Sequence, residues 1–336
     1  LVDSNYLPSI DVSFMNGHFI YTPQDGGPVF FSDTDAPDSI PANQFFDAEI
    51  LPDRNLGTIN LRQTLYVLGG NSIELFRQQG VLPAPFLRVS GGSIQTGYVS
   101  GKVRFGDTFA FIGRDRDQGF KVMIAGQGQA LPISNESIDE LLNSDYTEAE
   151  LVEAEADRIQ WHGKDILFFH LKRETIAYHE SNWFFVQSGV TAPAVTAPWR
   201  ARHILNYRGS YWCGDTEDGR IGRFVEDDAE YGEAIQRHIE GVIRESDRDL
   251  NFSISALEVD AAASVGSEGR VGLSLSRDGK LYGPTMWRKL PAIGAYGGRI
   301  EFRYPGGLGT FESMCAYRLS TTDNARLATD NVTIEL

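Results

Sequence analysis

Runs of five or six residues in which apolar and polar side chains alternate, separated by glycine or polar turns, recur through the first two thirds of the chain. The plainest case is Arg158 to Glu180, RIQWHGKDILFFHLKRETIAYHE. It reads as a strand, a tight turn at His162-Gly163, a second strand Ile166–Leu171, a turn at Lys172-Arg173-Glu174 and a third strand Thr175–Tyr178. Short strands joined this way predict an antiparallel meander. Four more stretches share the outline: Ile10–Asp33 turning at Asn16-Gly17, Leu56–Phe76 near Arg62-Gln63, Ser100–Ala125 at Gly106-Asp107 and Ala201–Phe224 at Arg208-Gly209. The turns lie roughly 46, 43, 57 and 46 residues apart, the length of one propeller blade. A lone meander of this size cannot bury both faces, and stacking copies around an axis is the common remedy. The pattern predicts an all-β chain, with a β-propeller-like array of at least five antiparallel meanders over residues 1–230. Five similar units weigh against the alternative, a β-sandwich whose spacing is accidental.

Three segments interrupt the rhythm. Asp33–Pro52 carries three prolines and five acidic residues around Phe45-Phe46 and reads as a surface excursion, a lid or contact loop. Gln78–Thr96, with Leu82-Pro83-Ala84-Pro85-Phe86 and Gly91-Gly92, reads as a connection between blades rather than a strand. Residues 133–157 read as a short helical insertion. There Ile138, Leu141 and Leu142 fall at i, i+3, i+4, Ser134 or Ser137 can cap, and Ser137/Glu140 and Thr147/Glu150 have capping-box spacing. Two helices with a break at Asn143–Tyr146 are expected, and they account for the longest interval between turns. After Phe224 the texture changes to irregularly spaced strands at Ile239–Ile243, Phe252–Leu257, Arg270–Ser276, Ile300–Tyr304, Met314–Leu319 and Val332–Leu336. These predict a C-terminal β-rich, sandwich-like element over residues 231–336, which either stands alone or lends strands to close the ring.

Composition narrows the function classes. With 41% hydrophobic and 11% aromatic residues, the chain has the material for a packed core. No apolar run of about 18 residues exists, so no helical membrane span is predicted. LVDSNYLPSI has neither a basic n-region nor an apolar h-region. The chain is therefore expected to start inside a larger gene product or to have been trimmed, and a ring of about six or seven blades would draw strands from the portion before it. Thirty basic residues against 46 acidic ones give a net charge of −16, which argues against a surface built to grip phosphate but leaves DNA free to slide past. Cys213 and Cys315 each lie in an apolar strand and read as buried thiols in a protein that folds in a reducing compartment.

Candidate chemistry is sparse. No G-x-S-x-G, HExxH or phosphate-cradling glycine loop occurs. Ser276-Arg277-Asp278-Gly279 is similar to the Asp-box of sialidase-type propellers, with Tyr282-Gly283 near the place of its closing aromatic; such a box is a fold-stabilising turn. Asp115–Gly119 and Asp215–Gly219 look like fragments of calcium loops, but both lack the later glutamate and both fall where a hairpin turn is needed. His162, His170 and His179 are spaced by 8 and 9, which suits no zinc site, and read as ordinary strand and turn histidines. The facing carboxylates of a glycosidase leave no linear signature, so that chemistry stays open. The expectation is no catalytic residue, no metal site, no cofactor and no enzymatic activity.

A series of phrases, in order, carries a resemblance. They are Phe31-Ser32-Asp33, Phe46-Asp47-Ala48-Glu49, Pro52-Asp53, the run Leu65 to Phe76 (LYVLGGNSIELF), and Pro85-Phe86-Leu87-Arg88-Val89. Pro132-Ile133-Ser134, Gln160-Trp161-His162-Gly163, Trp199-Arg200-Ala201-Arg202, Gly214-Asp215 and Ser276-Arg277-Asp278-Gly279 follow. From Asn16 to about Arg299 the chain resembles the packaged-DNA stabilisation proteins, or tail hubs, of short-tailed bacteriophages. Lys280-Leu281-Tyr282 departs from the family's glycine-threonine-tryptophan. The resemblance implies a structural virion component of the tail, assembled in the host cytoplasm as a homohexamer below the portal and its adaptor ring. It would stabilise packaged DNA, let the genome pass without sequence-specific binding, and offer attachment to tailspike and tail needle. Loops 33–52, 78–96 and 185–198 would carry those contacts. Two rival readings remain: a carbohydrate- or protein-binding propeller without chemistry, and a sialidase-like glycosidase suggested by the Asp-box and the abundant acids.

Overall fold

The computed structural model describes residues 3–48, 53–79, 85–115, 119–188, 198–226, 229–244, 251–261, 269–290, 299–321 and 329–335. The chain divides into two compact units, Leu1–Val186 with Pro198–Arg223, and Gln187–Ala197 with Phe224–Leu336.

The first unit is a propeller array of five sheets in chain order. Blade 1 is β1 (Ser9–Met15), β2 (His18–Pro23), β3 (Val29–Phe31) and β4 (Phe45–Phe46). Blade 2 is β5 (Asn55–Leu61), β6 (Thr64–Gly69), β7 (Ile73–Gln78) and β8 (Phe86–Ile94). Blade 3 is β9 (Gly97–Phe105), β10 (Thr108–Asp115), β11 (Gly119–Gly126) and β12 (Gln129–Pro132). The helices α1 (Glu136–Glu140) and α2 (Glu148–Val152) follow, joined by a π-helical turn over Leu141–Asp145. Blade 4 is β13 (Glu155–Trp161), β14 (Lys164–His170), β15 (Thr175–His179) and β16 (Asn182–Val186), and blade 5 is β17 (Ala201–Tyr207), β18 (Ser210–Asp215) and β19 (Ile221–Arg223). Each sheet is a plain meander in which neighbours in sequence are neighbours in space. The first strands of successive blades touch in turn, β1 on β5, β5 on β9, β9 on β13 and β13 on β17, so they form the inner edge of the array.

Alternation fixes which face of each blade is buried. Met15, Ile20, Val29 and Phe31 of blade 1 pack on Leu65, Val67 and Phe76 of blade 2. Leu61, Tyr66 and Leu75 of blade 2 pack on Phe109, Phe111 and Met123 of blade 3. Ala110, Ile112 and Val122 of blade 3 meet Leu167, Phe169 and Ile176 of blade 4, with Ile138, Leu142 and Leu151 of the helical insertion wedged beside them.

Five sequence expectations change. Part of Asp33–Pro52 is a structural element: Phe45-Phe46 is the fourth strand of blade 1, paired with Val29 and Phe30, and Ile40 is buried. Its residues 49–52 lie outside the described residues. Gln78–Thr96 contains the nine-residue strand β8, the fourth of blade 2; its two glycines mark a register shift opposite Glu74–Phe76, not a break. Likewise residues 185 and 186 of the expected contact loop 185–198 end the strand β16, and residues 189–197 lie outside the described residues. The helical insertion ends earlier than residue 157, because Glu155 already pairs with His170 in blade 4. Its first cap is Asn135, whose side chain accepts from Ile138 N at 3.0 Å, in place of Ser134 or Ser137; the Thr147–Glu150 capping box forms.

The second unit holds the four-stranded sheet β22-β29-β25-β26 and the three-stranded sheet β27-β24-β30 around one core. Their ranges are β22 (Arg237–Arg244), β24 (Ala256–Ala261), β25 (Arg270–Ser276), β26 (Met286–Lys289), β27 (Arg299–Arg303), β29 (Met314–Thr321) and β30 (Thr329–Glu335). Leu257, Val259, Ile300 and Phe302 of one sheet face Val271, Leu273 and Leu319 of the other. Small ribbons complete the unit, β20 (Ala229–Glu230) with β21 (Glu233–Ala234), and β23 (Asn251–Ile254) with β28 (Gly309–Glu312). Each described sheet is built from strands of one unit alone.

Candidate functional site: the contacts between blades

The inner strands carry charges that strand residues rarely hold without partners. On β1, Asp11 Oδ2 accepts from Thr58 N of β5 at 2.7 Å, and Ser13 Oγ lies 2.8 Å from Thr58 Oγ1. Lys102 of β9 crosses blade 2 to pair with Asp11 and donates to Thr58 O at 2.7 Å. One lysine thus ties three consecutive blades at the inner edge. Burial pushes its ammonium below the usual lysine range, and Asp11 opposes that shift. Asn60 donates to Phe14 O at 2.7 Å in the same row.

Between blades 4 and 5 the bond is polar and aromatic. His170 is buried, with Nε2 3.0 Å from Asp157 Oδ2 and Nδ1 3.2 Å from Thr175 Oγ1. Arg202 of β17 donates to Nδ1 at 2.8 Å, so Nδ1 is the acceptor and Nε2–H donates to Asp157. Asp157 Oδ1 also accepts from Ile204 N at 2.8 Å, and Thr175 Oγ1 accepts from Trp199 N at 3.0 Å. Burial, helped by the nearby Arg202 charge, sets the imidazole below its ordinary range, and the hydrogen bond that Nε2–H donates to Asp157 opposes that shift. Tyr211 Oη of blade 5 accepts from Gln160 N at 2.8 Å. A threonine, histidine and aspartate in line also describe a nucleophile with its base. Here Thr175 is fully buried and His170 nearly so, and Arg202 holds the nitrogen that a base would use. The trio locks sheets together and offers no reacting oxygen to solvent.

The remaining sequence candidates fall on turns or inside strands, His179 ending β15 and Asp215 ending β18. Asp215 and Asp218 ion-pair with Arg200 at 2.7 and 3.1 Å, so a guanidinium occupies the place a cation would take. Residues 116–118 of the Asp115–Gly119 fragment lie outside the described residues. Asp278 Oδ1 accepts from Lys280 N at 2.8 Å and Leu281 N at 2.9 Å, and these backbone donors hold its carboxyl down at about 2. The Asp-box-like turn is therefore built as the sequence suggests. His162 occupies a turn at φ 49°, and His179 Nδ1 lies 3.0 Å from Asp165 O. Cys213 and Cys315 are buried free thiols. Among the described residues no group of three or more metal-ligating side chains is found, and no helix is long and apolar enough to cross a membrane.

Two clefts open beside blade 2. One of about 1070 Å³ has Tyr66 and Leu75 in its wall and Asn16, Arg62, Arg77 and Asp107 among its lining. The other, of about 640 Å³, includes Asp53 and Glu148. Asp53 Oδ2 accepts from Asn71 N at 2.5 Å and Ser72 N at 3.1 Å, and Glu148 pairs with Arg114. Each of these acids already has a partner.

Residues 2–229 match the family described as bacteriophage P22 Gp10, β-propeller. The chain belongs to this phage stabilisation family. It is 26% identical over 292 residues to the tail hub protein gp10 of Salmonella phage P22, covering 81% of this chain and 59% of that relative. The chain therefore spans less than two thirds of that relative's length. Two solved structures that align with the chain are more distant. Hsv2 of Kluyveromyces marxianus aligns at 8% identity and TM-score 0.33, over 65% of this chain and 60% of that one. The S. cerevisiae core factor aligns at 10% identity and TM-score 0.37, over 96% of this chain and 59% of that one. Neither likeness is close enough to inform function.

The phrases that carry the family resemblance turn out to be core strands, locks and turns. Trp199, Arg200 and Arg202 tie blade 5 to blade 4 and to its own hairpin, Gln160 N donates to Tyr211, and Asp53 closes the Gly69–Ser72 turn. Asp11, Lys102 and Asp157 were not singled out from the sequence, although a lone charge inside an inner strand is the signal that marks them.

Proposed function

We propose that this protein is a structural tail hub of a short-tailed phage, assembled in the host cytoplasm as a homohexamer below the portal and its adaptor ring. In that place it holds packaged DNA in the capsid and gives tailspike and tail needle a surface to attach to. The observation that carries this reading is membership of the P22 Gp10 propeller family by a chain whose inner-strand charges are spent between blades. A part that retains pressurised DNA must resist shear between its sheets, and cross-blade hydrogen bonds in a partly buried setting supply that resistance. Catalysis and a cofactor are not part of this reading, and the excess of acidic residues suits a wall past which DNA slides.

The test is disruption of the gene in its phage, followed by imaging of the particles. Heads that package DNA and then lose it, with tails lacking the density beneath the portal, are expected. Stable, filled, fully tailed particles without this protein would exclude the hub role.

A further inference from the structure

The larger cleft beside blade 2 opens where blades 2 and 3 diverge. A meander reverses direction at every turn, so its first and third turns share an end. The first turns of blades 2 and 3, at Arg62-Gln63 and Gly106-Asp107, and the third turn of blade 3, Gln127-Gly128, therefore stand around one mouth. Alternation sends Thr64 and Tyr66 of β6, and Leu75 and Arg77 of β7, to the blade 3 side. Leu61, Tyr66 and Leu75 make a buried apolar floor that continues into the core shared with Phe109 and Phe111. Two polar ties fence it. Arg62 Nε donates to Asp107 Oδ1 at 3.2 Å on one side, and Asn16 donates to Gln78 on the other.

Two features of this cleft are not accounted for by packing. Arg77 is exposed on the wall, and among the described residues its guanidinium has no hydrogen-bond or ion-pair partner. Its charge is felt at Tyr66, whose hydroxyl burial pushes up while the Gln127 backbone and Arg77 pull the other way. The second feature is β8, the edge strand of blade 2. Its ladder passes from Glu74 opposite Ser93 to Phe76 opposite Arg88, so Leu75 alone stands against the whole of Val89–Gly92. That bulge lines the cleft, and Gly91 there has φ +70° with nothing within 4 Å of an added Cβ. A glycine-bearing bulge on an edge strand turns backbone N–H and C=O groups out of the ladder and lets another backbone come close.

We propose that this cleft docks an extended acidic segment of a partner polypeptide. One carboxylate of the segment pairs with Arg77, an apolar side chain covers the Leu61, Tyr66 and Leu75 floor, and its backbone runs along the β8 bulge. An unpaired guanidinium fork matches a carboxylate bidentately, and an edge strand gives an extended chain its main-chain partners. The volume of about 1070 Å³ also suits a chain segment better than a small molecule, whose pockets run about 300–1,000 Å³. A sugar would need an aromatic face, but Tyr66 is only 4% exposed and stands edge-on to Phe109 at 5.3 Å. A phosphate backbone would need several free cations, and Asp107 already neutralises Arg62 in a chain of net charge −16. The inference does not rest on the hub reading: docking is read on the isolated chain, and the hub role on particles.

The test selects a display library of random peptides, about eight residues long and so about 26 Å when extended, on the 336-residue chain. Enriched peptides are then synthesised and titrated by fluorescence anisotropy. Sequences pairing Asp or Glu with a large apolar residue are expected, with affinity that falls as salt rises. Arg77→Glu should weaken binding about tenfold or more, and Arg77→Lys should keep part of it. Replacing the peptide's carboxylate residue by Lys should restore affinity for the Arg77→Glu chain. Gln63→Glu, at an exposed turn, adds a like charge without touching the core and should weaken binding several-fold. Thermal melts confirm that each variant is folded. No enrichment, enriched peptides without an acid, or affinity indifferent to Arg77→Glu would overturn the proposal. Saturable binding on a glycan array that Arg77→Glu abolishes would give the cleft to a sugar and overturn it as well.

Discussion

At the scale of single residues, two glycines show different reasons for being glycine. Gly209 has φ +78° with nothing within 4 Å of an added Cβ, so its constraint is conformational. It follows Arg208 at φ 52°, the paired positive values of a primed hairpin turn. Gly209→Ala should cost about 1 kcal/mol, a drop of roughly 2–4 °C in Tm, without changing the fold. Gly97 has no positive φ, but an added methyl would overlap the Gly70 carbonyl oxygen. Gly97→Ala should therefore cost more than Gly209→Ala, since blades 2 and 3 must separate to admit it. Thermal melts of the two variants check the order, and equal costs would refute the steric account. His170 adds a pH dependence. Its folded pKa lies below the unfolded 6.5, so between those values the unfolded chain binds the extra proton and acid favours unfolding. The urea midpoint of the first unit should fall as pH drops from about 7.5 through 6.5, and His170→Gln should flatten that slope. The turn at Gly209 was legible because its cause is local. The His170 cluster was not, because its partners lie 13 and 32 residues away.

Among elements, strand order was legible wherever alternation met a two-residue turn, as at Asn16-Gly17 and His162-Gly163. Fourth strands were lost for physical reasons. Phe45-Phe46 is too short for a period, and β8 contains Gly91 at φ +70°, which reads as punctuation until the register shift across from it is seen. Contacts between blades were illegible because sequence alternation gives the face of a side chain and not the sheet it meets. Lys102 tests how much such a contact is worth. Lys102→Met removes the cation from Asp11 and the donor from Thr58 O while keeping most of the stem's volume. Asp11 retains the Thr58 N–H, so the expected loss is about 1–3 kcal/mol and not the larger penalty of a stranded charge. A double-mutant cycle with Asp11→Asn should show coupling of about 0.5 kcal/mol or more. Additive losses would mean the three blades are held by their apolar cores alone.

For the whole molecule, two units with separate cores predict two separable unfolding events. Charge gives a way to tell them apart. Asp278 belongs to the second unit, and its folded carboxyl, held near 2 by backbone donors, lies below the unfolded 3.8. The stability it adds is full above the unfolded value and is lost as pH falls from about 4 towards 2. Asp278→Asn should thus weaken the acid sensitivity of one transition in a calorimetric melt between about pH 4 and 2 and leave the other where it was. Lys102→Met, in the first unit, should do the reverse at neutral pH, lowering the propeller transition alone. If a single transition moves under both substitutions, the propeller and the C-terminal sheets unfold as one cooperative body. Independent transitions would instead let one unit open while the other keeps its own packing.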